Sequence, residues 1–123
     1  MWRFVLVVIA GGVGSGARYG IALLSGEAAG DFPRATLIVN VVGSFVIAVV
    51  LETATRKAWS TEVSVALSTG LIGGFTTYSA FNFQTTTLWL DGHTVKAAIN
   101  VGATLIGCIV AGLAGIWLAR RFA

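Results

Sequence analysis

Charged residues in this 123-residue chain stand in clumps, and the stretches between clumps are about as long as a membrane is thick. Glu27, Asp31 and Arg34 form one clump, Glu52, Arg56, Lys57 and Glu62 a second, Asp91 and Lys96 a third, and Arg120 and Arg121 a fourth. Each intervening stretch offers roughly 20 mostly uncharged residues, enough helix to cross a hydrocarbon core about 30 Å thick. A soluble domain carries about 25% charged residues, because its surface must face water. Here the figure is 11%, with 56% hydrophobic residues and a mean hydropathy of +0.88. The spacing predicts an all-α membrane protein with four transmembrane helices per chain. They make one transmembrane domain over residues 1–123, with spans near 4–24, 35–54, 62–90 and 94–118. A multi-pass position among membrane lipid, in the inner (plasma) membrane of a cell, is expected.

Several other readings fall away. The single cysteine, Cys108, excludes an internal disulfide and any multi-cysteine metal site. The net charge of +3 comes from arginines flanking spans, with no basic stripe interleaved with aromatics, so no nucleic-acid partner is expected. A signal peptide with Arg3 as its n-region competes for the first span, but the apolar run exceeds the usual h-region of about 7–15 residues. Gly12-Val13-Gly14-Ser15-Gly16-Ala17 imitates a dinucleotide fingerprint. That motif needs a βαβ unit and an acidic residue about 20 positions on, and neither is present. Helix packing is the better account of these glycines.

The third span carries an internal interruption, Gly73-Gly74-Phe75-Thr76-Thr77-Tyr78-Ser79. Glycine costs about 1 kcal/mol per helical position, and threonine hydroxyls compete for backbone hydrogen bonds. Backbone freed at membrane depth must be satisfied by protein, water or an ion. A third helix broken mid-membrane is therefore expected to mark a site, with a kinked packing helix as the competing reading. Two small-residue ridges predict close helix packing: Gly12, Gly16 and Gly20 in span one, and Ala103, Gly107, Ala111 and Gly115 in span four. Beside the second ridge, Asn100, Thr104 and Cys108 form a polar stripe, echoed by Asn40 and Ser44 in span two. With the N-terminus inside, five cations (Arg3, Arg56, Lys57, Arg120, Arg121) face two outside (Arg34, Lys96), a modest positive-inside bias.

Arg18 is the only charged residue well inside a span, about 22 Å along the helix from Arg3. Such an arginine faces a bundle interior or wet cavity, or snorkels to the interface; the first predicts an anion-attracting vestibule. No Asp or Glu lies deep in any span. A proton-coupled exporter needs an intramembrane carboxylate to exchange protons for substrate. What the interior offers suits an anion: the Asn40 amide, the hydroxyls of Ser44, Thr76, Thr77, Ser79 and Thr104, and the rings of Tyr78 and Phe81. Aromatic edges carry the positive part of the ring quadrupole. Asn40 and Asn82 could equally bridge helices.

Three segments now carry a resemblance across essentially the whole chain. They are Gly11-Gly12-x-Gly14-x-Gly16-Ala17-Arg18-Tyr19, Ala35-Thr36-Leu37-Ile38-Val39-Asn40-x-x-Gly43-Ser44-Phe45, and Gly70-Leu71-Ile72-Gly73-Gly74-Phe75-Thr76-Thr77-Tyr78-Ser79-Ala80-Phe81. Together they resemble the Fluc (CrcB) fluoride channel family. The resemblance implies a passive, fluoride-selective channel, not an enzyme, that exports fluoride and so reduces its toxicity. It implies an antiparallel dual-topology homodimer with two pores and a structural sodium ion (Na+) at the dimer interface. Carried over, Asn40 matches the pore asparagine, Tyr78 and Phe81 the two pore aromatics, and Arg18 the span-one arginine. Thr104 and Cys108 match a hydroxyl track, and the backbone carbonyls of Gly73 and Thr76 the sodium ligands. Tyr78 stands where the family has phenylalanine, Cys108 where serine is usual, and Asn100 where tyrosine is expected. The expected fluoride pore is thus Asn40, Tyr78, Phe81, Ser79, Thr77, Thr104, Cys108, Arg18 and Ser44. A small multidrug-type four-helix exporter and a non-transporting membrane subunit are the alternatives.

Overall fold

The computed structural model describes residues 1–123 and contains only helices and their connections. Three helices are long and apolar enough to cross a membrane: α1 (Trp2–Ser25), α2 (Arg34–Arg56) and α6 (Thr94–Phe122). The segment expected to be the third span is assembled from pieces. Helix α3 (Thr61–Val65), a π-helix (Ala66–Ile72) and α4 (Gly73–Phe75) run together as one arm. The backbone then straightens at Thr76 (φ −77°, ψ 160°) and Thr77 (φ −154°, ψ 116°), and α5 (Tyr78–Leu90) takes over. Extended backbone at two consecutive residues cannot continue a helical hydrogen-bond ladder, so α4 and α5 are separate helices.

Helix ends follow local chemistry. Gly26 closes α1 in the left-handed conformation (φ 59°), which a glycine adopts without a Cβ clash. Ser60 begins α3, its hydroxyl accepting from the Val63 N–H. The loop from Glu27 to Pro33 is held at both edges. Glu27 Oε1 accepts from the Ala35 N–H at 2.8 Å, satisfying a free donor in the first turn of α2. Lys96 Nζ, on α6, donates to the Gly30 carbonyl at 2.7 Å.

Packing falls into two seams. In one, α2 lies along α6. A Cβ on Gly115 would sit 2.5 Å from the Phe45 carbonyl oxygen, and one on Gly107 3.0 Å from Val41. The small-residue ridge of span four thus works inside the chain. In the other, α1 lies against the π-helix and α4. There Gly14 abuts the Leu71 carbonyl, Gly74 abuts Gly11, and Gly70 abuts Ala10 and Val7. Within the chain the seam of span one is shifted from the row the sequence singled out. It is made by Gly11 and Gly14, whereas Gly12, Gly16 and Gly20 have no heavy atom within 4 Å of an added Cβ. Those three glycines lie on the outward side of α1, beside exposed Val8, Ile9 and Val13.

At one end of the bundle, ion pairs join the helix termini. Arg3 meets Glu62 at 2.7 Å, and Glu52 takes both Arg56 at 2.9 Å and Arg120 at 3.0 Å. Exposed pairs of this kind contribute about 0–1 kcal/mol each. The seams hold the fold more than these do.

Candidate functional site

A groove of about 370 Å³ runs between α2, the helix break, the start of α5 and α6. Its polar lining is Asn40, Ser44, Thr76, Thr77, Tyr78, Thr104 and Cys108, and its walls include Ile47, Ile72, Phe81, Leu105 and Ile109. No carboxylate lines it. Two close approaches shape it. Gly43 on α2 leaves room for the Thr76 methyl group, so the break rests directly on the α2 backbone. Tyr78 and Phe81 project from successive turns of α5 with ring centroids 5.7 Å apart, tilted by 53°. Phe81 is buried at 7% exposure while Tyr78 is 75% exposed, so the pair runs from interior to mouth.

The break is satisfied by side chains. In an unbroken helix the Thr77 N–H would reach the Gly73 carbonyl. Instead it donates to Asn40 Oδ1 at 2.8 Å, and Asn40 Nδ2 donates back to the Thr77 carbonyl at 2.9 Å. Asn40 is 8% exposed, so both bonds are shielded. The Gly74 carbonyl, at the C-terminal end of the arm, accepts from Ser15 Oγ and from Arg18 Nε, each at 3.3 Å. A cation at a helix C-terminus also meets the negative end of its dipole. Thr77 Oγ1 in turn accepts from the Ala80 N–H at 3.2 Å, capping α5. The N-terminus of α5, with its partial positive charge, lies beside the groove, which Thr77, Tyr78 and Phe81 line.

The polar stripe of α6 splits by role. Asn100, 1% exposed, donates to Thr85 Oγ1 at 2.8 Å and ties α6 to α5. Thr104 and Cys108, one and two turns on, line the groove. Thr104 is 7% exposed, yet its Oγ1 has no hydrogen-bond partner. A buried hydroxyl without a partner costs about 1–3 kcal/mol, and Thr104 carries that cost beside the groove.

The groove gathers Asn40, Ser44, Thr77, Tyr78, Phe81, Thr104 and Cys108 from the expected set, together with Thr76. Arg18 and Ser79 lie outside its lining. Arg18 is bound to the arm, and Ser79 Oγ shares a hydrogen bond with Thr77 Oγ1 at 3.3 Å. Gly73 is likewise outside the lining, on an exposed part of the arm. Sequence reasoning missed the aliphatic walls. Ile47, Leu105 and Ile109 sit one position or one turn from polar lining residues, a helical-periodicity signal that was available. The Asn40–Thr77 pairing left no such signal, because 37 residues separate the partners.

Helices of membrane-crossing length around a largely apolar groove, with a few polar groups and no fixed negative charge, define a helical membrane protein. Comparison with known proteins narrows this to a family. A family model described as CrcB-like protein, Camphor Resistance (CrcB), matches residues 5–116, and the chain belongs to that family. It is 40% identical to the Fluoride-specific ion channel FluC of Mesorhizobium japonicum, over 98% of both chains. The protein of the same name from Anaeromyxobacter sp. (strain K) is 42% identical over 100% of this chain and 99% of its own. That of Geobacter sulfurreducens is 40% identical over 98% and 99%.

Proposed function

We propose that this protein is a fluoride-selective passive channel that lets the anion leave the cell down its gradient. One observation carries the reading: polar groups of Asn40, Ser44, Thr77, Tyr78, Thr104 and Cys108, distant in sequence, come together along one groove that has no carboxylate. Fluoride is small and strongly hydrated, so its water shell must be replaced at close range by O–H, N–H and aromatic-edge contacts. Thr104, Ser44, the second Asn40 N–H, the α5 N-terminus and the edges of Phe81 and Tyr78 are of the required kind. The absence of a lining carboxylate disfavours the small multidrug-type exporter. A groove of this chemistry has no use in a non-transporting subunit.

The working unit on this reading is an antiparallel, dual-topology homodimer in the inner (plasma) membrane, with the third span broken inside the bilayer. The outward Gly12, Gly16 and Gly20 row supports a second copy against α1, since lipid gives no hydrophobic drive and small residues let backbones approach. The sodium ion that the resemblance implies would be held by backbone oxygens of this chain. The Gly73 carbonyl has lost its helical donor, because the Thr77 N–H goes to Asn40. Hard cations favour such oxygens, and Gly73 and Thr76 from two subunits would supply four. The ion would neutralise carbonyl dipoles gathered at the dimer centre.

The test is fluoride efflux from liposomes that contain only this protein. Electrogenic fluoride flux with strong rejection of chloride is expected. Liposomes that lose chloride as readily as fluoride would rule the reading out.

A further inference from the structure

We infer that the end of the bundle where α2 and α6 finish binds the phosphate of a net-anionic phospholipid, held by Arg56 and Arg120. The inference does not depend on whether the chain conducts fluoride. Arg56 stands in the last turn of α2 and Arg120 in the last turn of α6. Both guanidiniums donate through Nε to the same oxygen, Glu52 Oε1, at 2.9 and 3.0 Å. One carboxylate thus draws two cations together and neutralises only one of them. A guanidinium has five N–H donors, and these two side chains stay 42% and 61% exposed, so donors remain for a group outside the chain. Paired guanidinium forks suit the oxygens of a phosphate, which they can take two at a time.

Charge singles out this end. Arg3, Arg56, Lys57, Arg120 and Arg121 stand here against Glu52 and Glu62, a surplus of three cations. At the other end Arg34 and Lys96 face Glu27, Asp31 and Asp91, so carboxylates are in excess, and Lys96 is committed to the Gly30 carbonyl. A cation in the last turn of a helix meets the negative end of its dipole. That accounts for a cation at each helix end, but not for two on one carboxylate with further cations beside them. The surrounding surface selects a lipid over a dissolved anion. Trp117 lies one turn before Arg120 and is 65% exposed, and Trp59 follows the end of α2, its N–H on the Ala54 carbonyl at 3.0 Å. Tryptophan settles at headgroup depth. From Trp117 toward the middle of α6, exposed Leu113, Val110 and Ile106 continue the same face at helical spacing. A lipid whose phosphate sits on the two arginines can lay its acyl chains along that stripe.

Tryptophan quenching by brominated phospholipid tests this on the full chain in phosphatidylcholine vesicles. Two parent versions each keep one reporter. In the first, Trp2→Phe, Trp59→Phe and Trp89→Phe leave Trp117; in the second, Trp2→Phe, Trp59→Phe and Trp117→Phe leave Trp89, at the far end. At equal mole fraction, brominated phosphatidylglycerol should quench Trp117 as if enriched about fivefold over brominated phosphatidylcholine. Trp89 should show no such preference. Arg56→Gln with Arg120→Gln should bring Trp117 down to the Trp89 level. Lys57→Gln with Arg121→Gln removes the same charge from the same end and should keep most of the enrichment. Equal loss in the two double variants would mean a diffuse field and overturn the inference. Equal quenching of Trp117 by the two lipids in the parent would do the same. Loss of the enrichment in inorganic phosphate, but not in sodium chloride of equal ionic strength, would assign the arginines to a dissolved anion and overturn the lipid. Should Arg56→Gln with Arg120→Gln fail to elute as its parent does, the parent pair and the Lys57→Gln, Arg121→Gln protein decide.

Discussion

The carboxamide of Asn40 on α2 closes a two-point hydrogen bond on the backbone of Thr77, donating to its carbonyl at 2.9 Å and accepting from its N–H at 2.8 Å. The residue matched to a pore asparagine is therefore also the clasp that holds the helix break open. One of its two amide protons is committed to Thr77, and the other remains for the groove.

Asn40→Ala removes both bonds and strands a buried N–H and carbonyl. With a net value of about 0.5–1.5 kcal/mol per bond plus the unsatisfied groups, a loss of about 2 kcal/mol or more is expected. Thermal stability followed by size exclusion reads this. Asn40→Asp keeps the acceptor for the Thr77 N–H, places a carboxylate opposite the Thr77 carbonyl, and puts like charge on an anion route. Fluoride efflux should be nearly abolished even where the variant elutes from size exclusion as the wild type does.

Thr104→Val separates transport from packing. The hydroxyl has no protein partner, so its removal should leave thermal stability unchanged or slightly raised. Flux should fall about tenfold, on the scale of one hydrogen bond to a charged group, about 1.5–3 kcal/mol. Unchanged efflux in a stable variant would assign the hydroxyl no role with the anion.

The aromatic pair divides in the same way. Tyr78→Phe keeps the ring edge at the mouth of the groove, and its flux should stay within about threefold of wild type. Phe81→Ile removes the buried edge and should slow efflux by at least about a hundredfold, because an aliphatic group leaves the anion desolvated without compensation. If Phe81→Ile conducts like wild type and folds normally, the pair is core packing.

Glycine substitutions on α1 should have opposite readouts. Gly14→Ala drives a methyl into the Leu71 carbonyl and should destabilise the chain by about 1–3 kcal/mol. Gly12→Ala meets nothing within the chain, so on the proposed homodimer its effect should appear as a shift from dimer to monomer on size exclusion. A Gly12→Ala protein that dimerises as tightly as wild type would locate the second copy elsewhere.

Orientation is testable with Lys57→Cys and Asp91→Cys, each on a Cys108→Ser background. Both sites are exposed and lie at opposite ends of the bundle. Lys96 is less suitable, since it is bound to the Gly30 carbonyl. In a dual-topology population each cysteine labels from outside in about half the copies. Labelling of one site only would mean a single orientation.

Hydropathy and charge spacing sufficed for the membrane class and the long helices α1, α2 and α6. These properties are local, since helix length and glycine content act within one segment. The donor inventory of Asn40, Ser44, Thr104 and the two rings was also legible, because exclusion of charge from a span is visible residue by residue. Partnership was not legible. Nothing local announced the hydrogen bond of Arg18 to the Gly74 carbonyl or that of Asn100 to Thr85, which ties α6 to α5. That Gly11 and Gly14 form the seam within the chain, and not the neighbouring row Gly12, Gly16 and Gly20, was not visible either. In each case the competing residues lie within a few positions on one helix, separated by rotations of about 100° per residue. Which of them meets the neighbour depends on where distant segments come to rest, and only the packed helices set that.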